Sequence, residues 1–230
     1  MKKAALLGIA AIFLAGCSTG IIRSQIEKGI RDSLPEHIGP ARKYKVHVSG
    51  SESAMMDGRI NRLLIEGTGV QINDDLSVDR MSIIMDKVRF NPRTHAVKGV
   101  ESTTFEAELS SETLNSFISK VKDDKYRVKI RLYDGKAVVD AAPGLLGIRV
   151  PVSVTGSPVI REGNKADFVA DEASLSIIPL PASIINKLFK EVNPVLDMSQ
   201  MKFPIIIEDI TIEKDLIIVK GRAEFALSNE

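Results

Sequence analysis

Cys17 carries the only thiol in the 230-residue chain, and it stands directly behind an apolar run, Ala4 to Ala15, that Lys2 and Lys3 introduce. One cysteine cannot close an internal disulfide. Ala15 and Gly16, just before it, are small residues of the kind a signal peptidase needs. The other groups able to do chemistry are dispersed. His37, His47 and His95 make no pair four residues apart and have no His-Glu neighbour, the spacing a zinc site uses. Asp74-Asp75 and Asp123-Asp124 fall in turns, and Glu208-Asp209 lies on a strand, where neighbours face opposite sides. General acid–base work needs both groups aimed at one substrate atom. The stretch Asn73–Asp79 lacks the central glycine and closing glutamate of a calcium loop. Nucleophile elbows, phosphate-cradling loops and dinucleotide fingerprints are all missing. The expectation is a protein without catalytic residues, metal or cofactor, and so not an enzyme.

Composition narrows the class further. The chain is 44% hydrophobic, with 31 basic against 30 acidic side chains and no Trp. This excludes disorder, a disulfide scaffold and a charge-driven nucleic-acid binder. A chain of this length can bury roughly 70% of its unfolded surface, so a sizeable core is available. The run Ala4–Ala15 is shorter than the roughly 20 residues of a membrane span and suits a signal-peptide core. Leu14-Ala15-Gly16-Cys17 resembles the box of bacterial lipoprotein signals at all four positions. That resemblance implies cleavage before Cys17 and attachment of acyl chains such as palmitate. Residues 1–16 are then a removed signal peptide, 17–43 the lipidated Cys, an amphipathic helix and a tether, and 44–230 a single domain. Loss of Lys2 and Lys3 takes the formal charge from +1 to about −1, too little to drive partnerships. Ser18 stands where an inner-membrane retention signal usually has Asp, which favours the outer membrane of a diderm envelope and a periplasm-facing domain.

The elements behind the signal alternate in period. Ile22, Ile26, Ile30 and Leu34 predict a helix from Ile21 to Leu34, ended by Pro35. Tyr44, Val46 and Val48 predict a half-buried strand, followed by a loop with Gly50, Asp57 and Gly58. Strands are expected at Ile60–Ile72 and Leu76–Phe90. In the latter Met81, Ile83 and Met85 share one parity and Val88 and Phe90 the other, so a bulge or bend is expected near Asp86. Val97–Leu109 reads as one strand, and Ser110 caps a helix to about Lys122 whose stripe is Leu114, Phe117, Ile118 and Val121. Tyr126, Val128, Ile130 and Leu132 face one side of the next strand, and Asp134-Gly135 turns it into Lys136–Ala142. Long strands follow at Ile148–Ile160 and Ala166–Ile178. Pro179 and Pro181 start a second helix with the stripe Ile184, Ile185, Leu188, Phe189 and Val192. Ile205–Glu213 and Leu216–Leu227 close the chain. Helix followed by hairpin occurs twice, from Ser110 to Ala142 and from Ala182 to Leu227. The fold class is α+β: a long, strongly curved antiparallel β-sheet wrapped around short amphipathic helices.

Such strands need their apolar face covered, and the helices that can cover it are short. A sheet that curls around them can leave an elongated apolar groove. The expected lining is Leu114, Phe117, Ile118, Val128, Ile130, Leu132, Ile184, Leu188 and Phe189, with the adaptable Met81 and Met85 on the other wall. The same positions could equally fill a solid core. Pro143–Gly147, with Leu145 and Leu146, and Ile178–Pro181, with Leu180, are apolar tips expected to meet membrane or to tuck inward. Lys120, Lys122, Lys125, Arg127, Lys129 and Arg131 gather at one helix–strand junction, as a wet face or as contacts for headgroup phosphates.

The segments Phe105–Asn115, Asp134-Gly135, Pro151–Gly156, Leu180-Pro181 and Ile207–Gly221 resemble the LmeA-like phospholipid-binding family of bacterial envelopes. Gly58-Arg59-Ile60 resembles its early strand start, although the Phe-Pro-Phe-like element that often precedes it is absent. The resemblance implies a tubular lipid-binding-like fold that binds, and can transfer, phospholipid or a similar amphiphile without catalysis. The competing expectation is a structural or adaptor lipoprotein with a filled core. Neither involves nucleic acid.

Overall fold

The computed structural model describes residues 20–72, 74–92, 97–121, 128–142, 144–145, 148–149, 151–175, 178–179, 193–199 and 204–223. The amphipathic repeat after Gly20 forms α1 (Ile21–His37), burying Ile26, Ile30 and Leu34 along one side. The helix runs past Pro35 instead of stopping before it. Pro35 removes only one late donor, and the Ile38 amide closes the end by donating to the Leu34 carbonyl at 2.8 Å. β1 (Ala41–Ser49) follows, and the expected loop behind it contains α2 (Glu52–Met56). Ser51 Oγ caps that turn by accepting from the Ala54 amide, and Met55 is buried beneath it. One turn is too short to show a hydrophobic period, which is why the sequence reads there as loop.

β2 (Arg59–Gln71) and β3 (Ser77–Phe90) form a long hairpin. Burial along β3 changes parity between Met85 and Val88, with Lys87 between them at φ 49. The predicted bend is therefore there, one residue beyond Asp86. The strand expected at Val97–Leu109 divides into β4 (Val97–Gly99) and β5 (Ser102–Ser110). Between them the Glu101 amide donates back to the Asp86 carbonyl at 3.0 Å.

The chain continues through α3 (Ser111–Val121), β6 (Lys129–Tyr133), β7 (Lys136–Ala141), the short pair β8 (Gly144–Leu145) and β9 (Ile148–Arg149), β10 (Val152–Arg161) and β11 (Lys165–Leu175). It then forms β12 (Ile178–Pro179), β13 (Leu196–Asp197), β14 (Ile205–Glu213) and β15 (Leu216–Ala223). The architecture is α+β, mostly antiparallel, with a curled half-barrel sheet and few helices. The expected continuous sheet is divided. One sheet has the order β1-β2-β3-β5-β15-β14, with β4 on β3, and the other β12-β11-β10-β7-β6, with β13 on β11.

The curl has a local cause. Tyr44 pairs with Gly67 and Phe105 with Gly221 across neighbouring strands. A Cβ on Gly67 would press the Tyr44 ring at 3.0 Å, and one on Gly221 would meet the Phe105 ring at 2.7 Å. In the second sheet Phe168 covers Gly156 in the same way. The β14–β15 ladder slips register at Ile207/Asp209 and the β10–β11 ladder at Thr155/Gly156, close to two of these glycines. An extra residue on one strand beside a glycine bends the sheet toward the ring that fills the space.

The concave side of the first sheet closes over α1. Ile30, Leu34, Ile65 and Val70 lie at its centre, and Met81, Ile83 and Met85 from β3 join the same cluster. The second sheet meets the first at the free edge of β14. The Gly135 amide of the β6–β7 turn donates to the Ile212 carbonyl at 2.8 Å, and the Ile207 amide donates to Gly163 in the β10–β11 turn at 2.6 Å. These turns occupy backbone groups that an open edge would expose.

Asp79 on β3 holds α3 to the first sheet. One carboxylate oxygen accepts from the Ser110 amide at 2.7 Å and the other from Thr113 Oγ1 at 2.8 Å. Ser110 Oγ in turn accepts from the Thr113 amide, the predicted cap. Partial burial alone would raise the Asp79 pKa, but the hydrogen bonds from Ser110 and Thr113, with Arg42 nearby, hold it below the ordinary carboxylate value. A depressed folded-state pKa contributes stability above the unfolded value of about 3.9 and loses it as pH falls through the folded one. Asp79→Asn is therefore expected to cost about 1–3 kcal/mol at neutral pH, measured by urea unfolding, with the gap to wild type closing under acid. A gap that stays constant through the carboxylate range would refute the assignment.

Candidate functional site

The inner face of the second sheet is built from rows that cross its strands in register. Ile130, Val139, Val154 and Ala173 make one row, and Leu132, Ala137, Gly156 and Ala170 the next. Ala141 and Val152 begin a third. Period-two alternation on four adjacent strands puts these residues on one side by itself. The opposite side carries Lys129, Arg131, Lys136, Asp140, Ser153 and Glu172 in the same registers.

Burial along this face is uneven. Leu132 and Ala137, next to the joint with β14, are buried at 2% and 6% exposure, together with Val154, Phe168, Ala173 and Ile212. Ile130, Val139, Val152 and Ala170, with Leu114 from α3, are only partly buried against them. Both rows thus mix buried and partly buried side chains. Along β1 of the first sheet exposed and buried residues alternate from Lys43 to Ser49.

Two asparagines fix the edges of this face. Asn115 on α3 donates to the Ile130 carbonyl at 2.8 Å and accepts from the Ile130 amide at 2.7 Å. Its side-chain amide takes the place of a further strand on β6, the edge of the sheet. Asn193 does the same for Phe168 on β11, accepting from its amide at 2.9 Å and donating to its carbonyl at 3.1 Å. Sequence reasoning missed both roles. An amide side chain next to an apolar stripe gives no periodic signal.

The structure brings Leu114, Ile130 and Leu132 together in one cluster. Phe117, Ile118 and Val128 are half-buried. Met81 and Met85, expected on the other wall of the groove, lie in a different cluster. They belong to the core beneath α1, because β3 pairs with β2 and β5 and turns its buried side toward that helix. Ile184, Leu188 and Phe189, the tip residues Leu146 and Leu180, and Cys17 lie outside the described residues. Leu145 is on β8, paired with Ile148 on β9. Its segment and Ile178–Pro179 both leave the same end of the second sheet, since Ala141, Val152, Leu175 and Ile178 share one level of the ladder.

Polar chemistry sits outside this face. Arg131 pairs with Asp140 at 2.7 Å, and Ser153 donates to the same carboxylate at 2.8 Å. The hydrogen bond to Asp140 raises the Arg131 pKa further above its usual value. Lys120 and Lys129 are exposed, while Lys122, Lys125 and Arg127 lie outside the described residues. A depression of about 220 Å³ at the joint is lined by Arg131, Leu132, Tyr133, Asp134, Lys214 and Asp215. It mixes both charges and shares Leu132 with the apolar rows. Among the described residues no group of three His, Cys, Asp or Glu side chains could hold a metal ion, and no helix is long and apolar enough to cross a membrane.

A family model described as LmeA-like phospholipid-binding matches residues 19–222. No curated protein and no solved structure matches the chain.

Asn115→Leu removes both bonds to Ile130 and leaves an edge amide and carbonyl without their protein partner. The expected loss is about 2–3 kcal/mol in urea unfolding, with hydrogen exchange accelerated at the Ile130 amide. Unchanged exchange there would show that Asn115 does not hold α3 to β6.

Proposed function

The chain belongs to the LmeA-like phospholipid-binding family, and from that premise we propose that it is an envelope lipoprotein, anchored through Cys17, that holds phospholipid acyl chains on the inner face of the second sheet beside α3. The observation that carries this reading is the apolar face: rows of Ile, Val, Leu and Ala in register, among which Ile130, Val139, Val152 and Ala170 are only partly buried. A hydrocarbon chain laid along the partly buried row removes its own surface and that of Ile130, Val139 and Val152 from water. Each methylene covered contributes about 0.8 kcal/mol, so a few carbons outweigh the loss of chain freedom. Leu114 on α3 packs against the same cluster and bounds the partly buried side chains. No bond is made or broken in such a process; the protein's work is to exclude water and hold.

A scaffolding lipoprotein is the second reading, and the packed core beneath α1 favours it for the first sheet. The readings separate on bound lipid. The mature chain with Cys17→Ser, purified without detergent and extracted with organic solvent, is expected to yield phospholipid by mass spectrometry. Val152→Trp fills the row and Val139→Asp makes it polar. Each is expected to lower the yield about tenfold or more while far-ultraviolet circular dichroism is retained, the effect of a cost of roughly 1–3 kcal/mol. Wild-type protein that carries no lipid and takes none from vesicles would favour the scaffold. Cys17→Ser is also expected to move the protein from the membrane to the soluble fraction of cells.

A further inference from the structure

Several chain segments meet at the end of the first sheet where α1 begins. Arg23 on α1 donates to the Gly50 carbonyl, just beyond β1, at 3.0 Å, and the Gly20 amide donates to the Glu52 carboxylate on α2. β3 ends there too, where the Phe90 amide donates to the Gly58 carbonyl at 2.8 Å. α2 turns Met55 inward against this end. Glu52 and Met56 are four residues apart on that turn and so share its outer side, which puts Met56 beside the residue that receives the start of α1.

Two large apolar side chains are left in solvent here, Ile21 at 39% and Met56 at 63% exposure. Scattered apolar residues need no explanation, but these two flank the point where the chain leaves toward Cys17. Guanidinium groups rim them. Arg23 is exposed, and Arg59, three residues beyond Met56, pairs with Asp57 at 3.0 Å. Arg89 on β3 is the cross-strand partner of Arg59 and is exposed as well. Like charges directly opposite on neighbouring strands destabilise the pair. Among the described residues these two arginines share one ion pair, that of Arg59 with Asp57, so an added anion between them relieves the repulsion.

The chain before Gly20 says which surface is in reach. Cys17 precedes Gly20 by three residues, which span at most about 10 Å when fully extended. An acyl group on Cys17 therefore keeps its membrane within that distance of the start of α1.

We propose that Ile21 and Met56, with the guanidinium groups of Arg23, Arg59 and Arg89, form a contact site for anionic lipid headgroups on the membrane that holds the anchor. The proposal rests on the anchoring reading above. Ile21 and Met56 enter the boundary between headgroups and acyl chains, and the arginines donate to phosphate oxygens. An acyl anchor alone leaves the domain free to turn; this second contact fixes the tilt of the first sheet on its own membrane.

The test uses the mature chain with a polyhistidine tag in place of Cys17, held on vesicles that contain a nickel-chelating lipid. Met56→Cys then supplies the one thiol for an environment-sensitive fluorophore. Lys43→Cys, exposed near the other end of β1, supplies the reference about 20 Å away. On phosphatidylethanolamine–phosphatidylglycerol vesicles the Met56 label is expected to shift to the blue while the Lys43 label does not. On phosphatidylcholine vesicles, or with Arg59→Gln and Arg89→Gln, the shift is expected to shrink. In the untethered Cys17→Ser chain those two arginine substitutions are expected to weaken binding to the anionic vesicles about tenfold or more. Ile21→Ser with Met56→Ser is expected to weaken it several-fold, with far-ultraviolet circular dichroism retained. Equal shifts at both labels, or none at Met56, overturn the contact site. A full shift on phosphatidylcholine overturns the role of the arginines. These readouts do not use acylation, so they fail separately from the anchor: a protein that leaves the cell membrane fraction without Cys17, yet shows no Met56 shift on vesicles, keeps the anchor and loses the contact.

Discussion

Covering a long apolar sheet with few helices is the constraint from which the rest of this structure follows. A flat antiparallel sheet of this length would leave most of its inner side in water beyond the reach of one helix. Curvature removes the problem by folding the sheet over the helix it has. Here the curve is written into pairs in which an aromatic ring lies across a glycine of the next strand: Tyr44 on Gly67, Phe105 on Gly221, Phe168 on Gly156. Glycine weakens a strand because it has nothing to pack, and the ring supplies the missing contact while letting the backbones approach. Any larger side chain at Gly156 or Gly221 would meet both a carbonyl oxygen and the ring, so the bend and the identity of these residues depend on each other.

The same solution has different outcomes in the two sheets. Beneath the first, α1 inserts Ile26, Ile30 and Leu34 among residues from β1, β2 and β3, and Met55 plugs the end. The inner side of the second sheet is only partly buried at Ile130, Val139, Val152 and Ala170. A partly buried apolar surface bounded by α3 is what the proposed hydrocarbon ligand requires.

Much of this was legible from residue order. Alternation placed β1 and β6, Ser110 announced α3, and Asp134-Gly135 marked a turn. The parity change on β3 foretold its bend, which falls at Lys87. Each of these signals is local, fixed by a side chain and its near neighbours. What stayed hidden depends on partners distant in sequence. Nothing in the spacing of Met81 and Met85 says that they face α1 and not α3; that follows from β3 lying between β2 and β5. The aromatic–glycine pairs need the register of two strands to be known first. The Asn115 and Asn193 clamps need the identity of the edge they cover. Four adjacent strands share the rows of the apolar face, and two of them could be read as apolar from sequence without revealing that all would align.

The frame around that face is held at few points, which links its stability to its use. α3 is secured to the first sheet by Asp79 through Ser110 and Thr113, and to the second by Asn115 through Ile130. The second sheet is secured to the first by turn amides on the edge of β14. These are directional bonds between groups that are only partly sheltered, each worth about 1 kcal/mol net, whereas the core under α1 is held by many non-directional contacts. Small changes in ligand or solvent thus act first on the position of α3 relative to the rows, while the first sheet remains a fixed base. Under the proposed function, the face beside α3 accommodates different acyl chains by movement of that helix, and the core that keeps the protein folded need not take part.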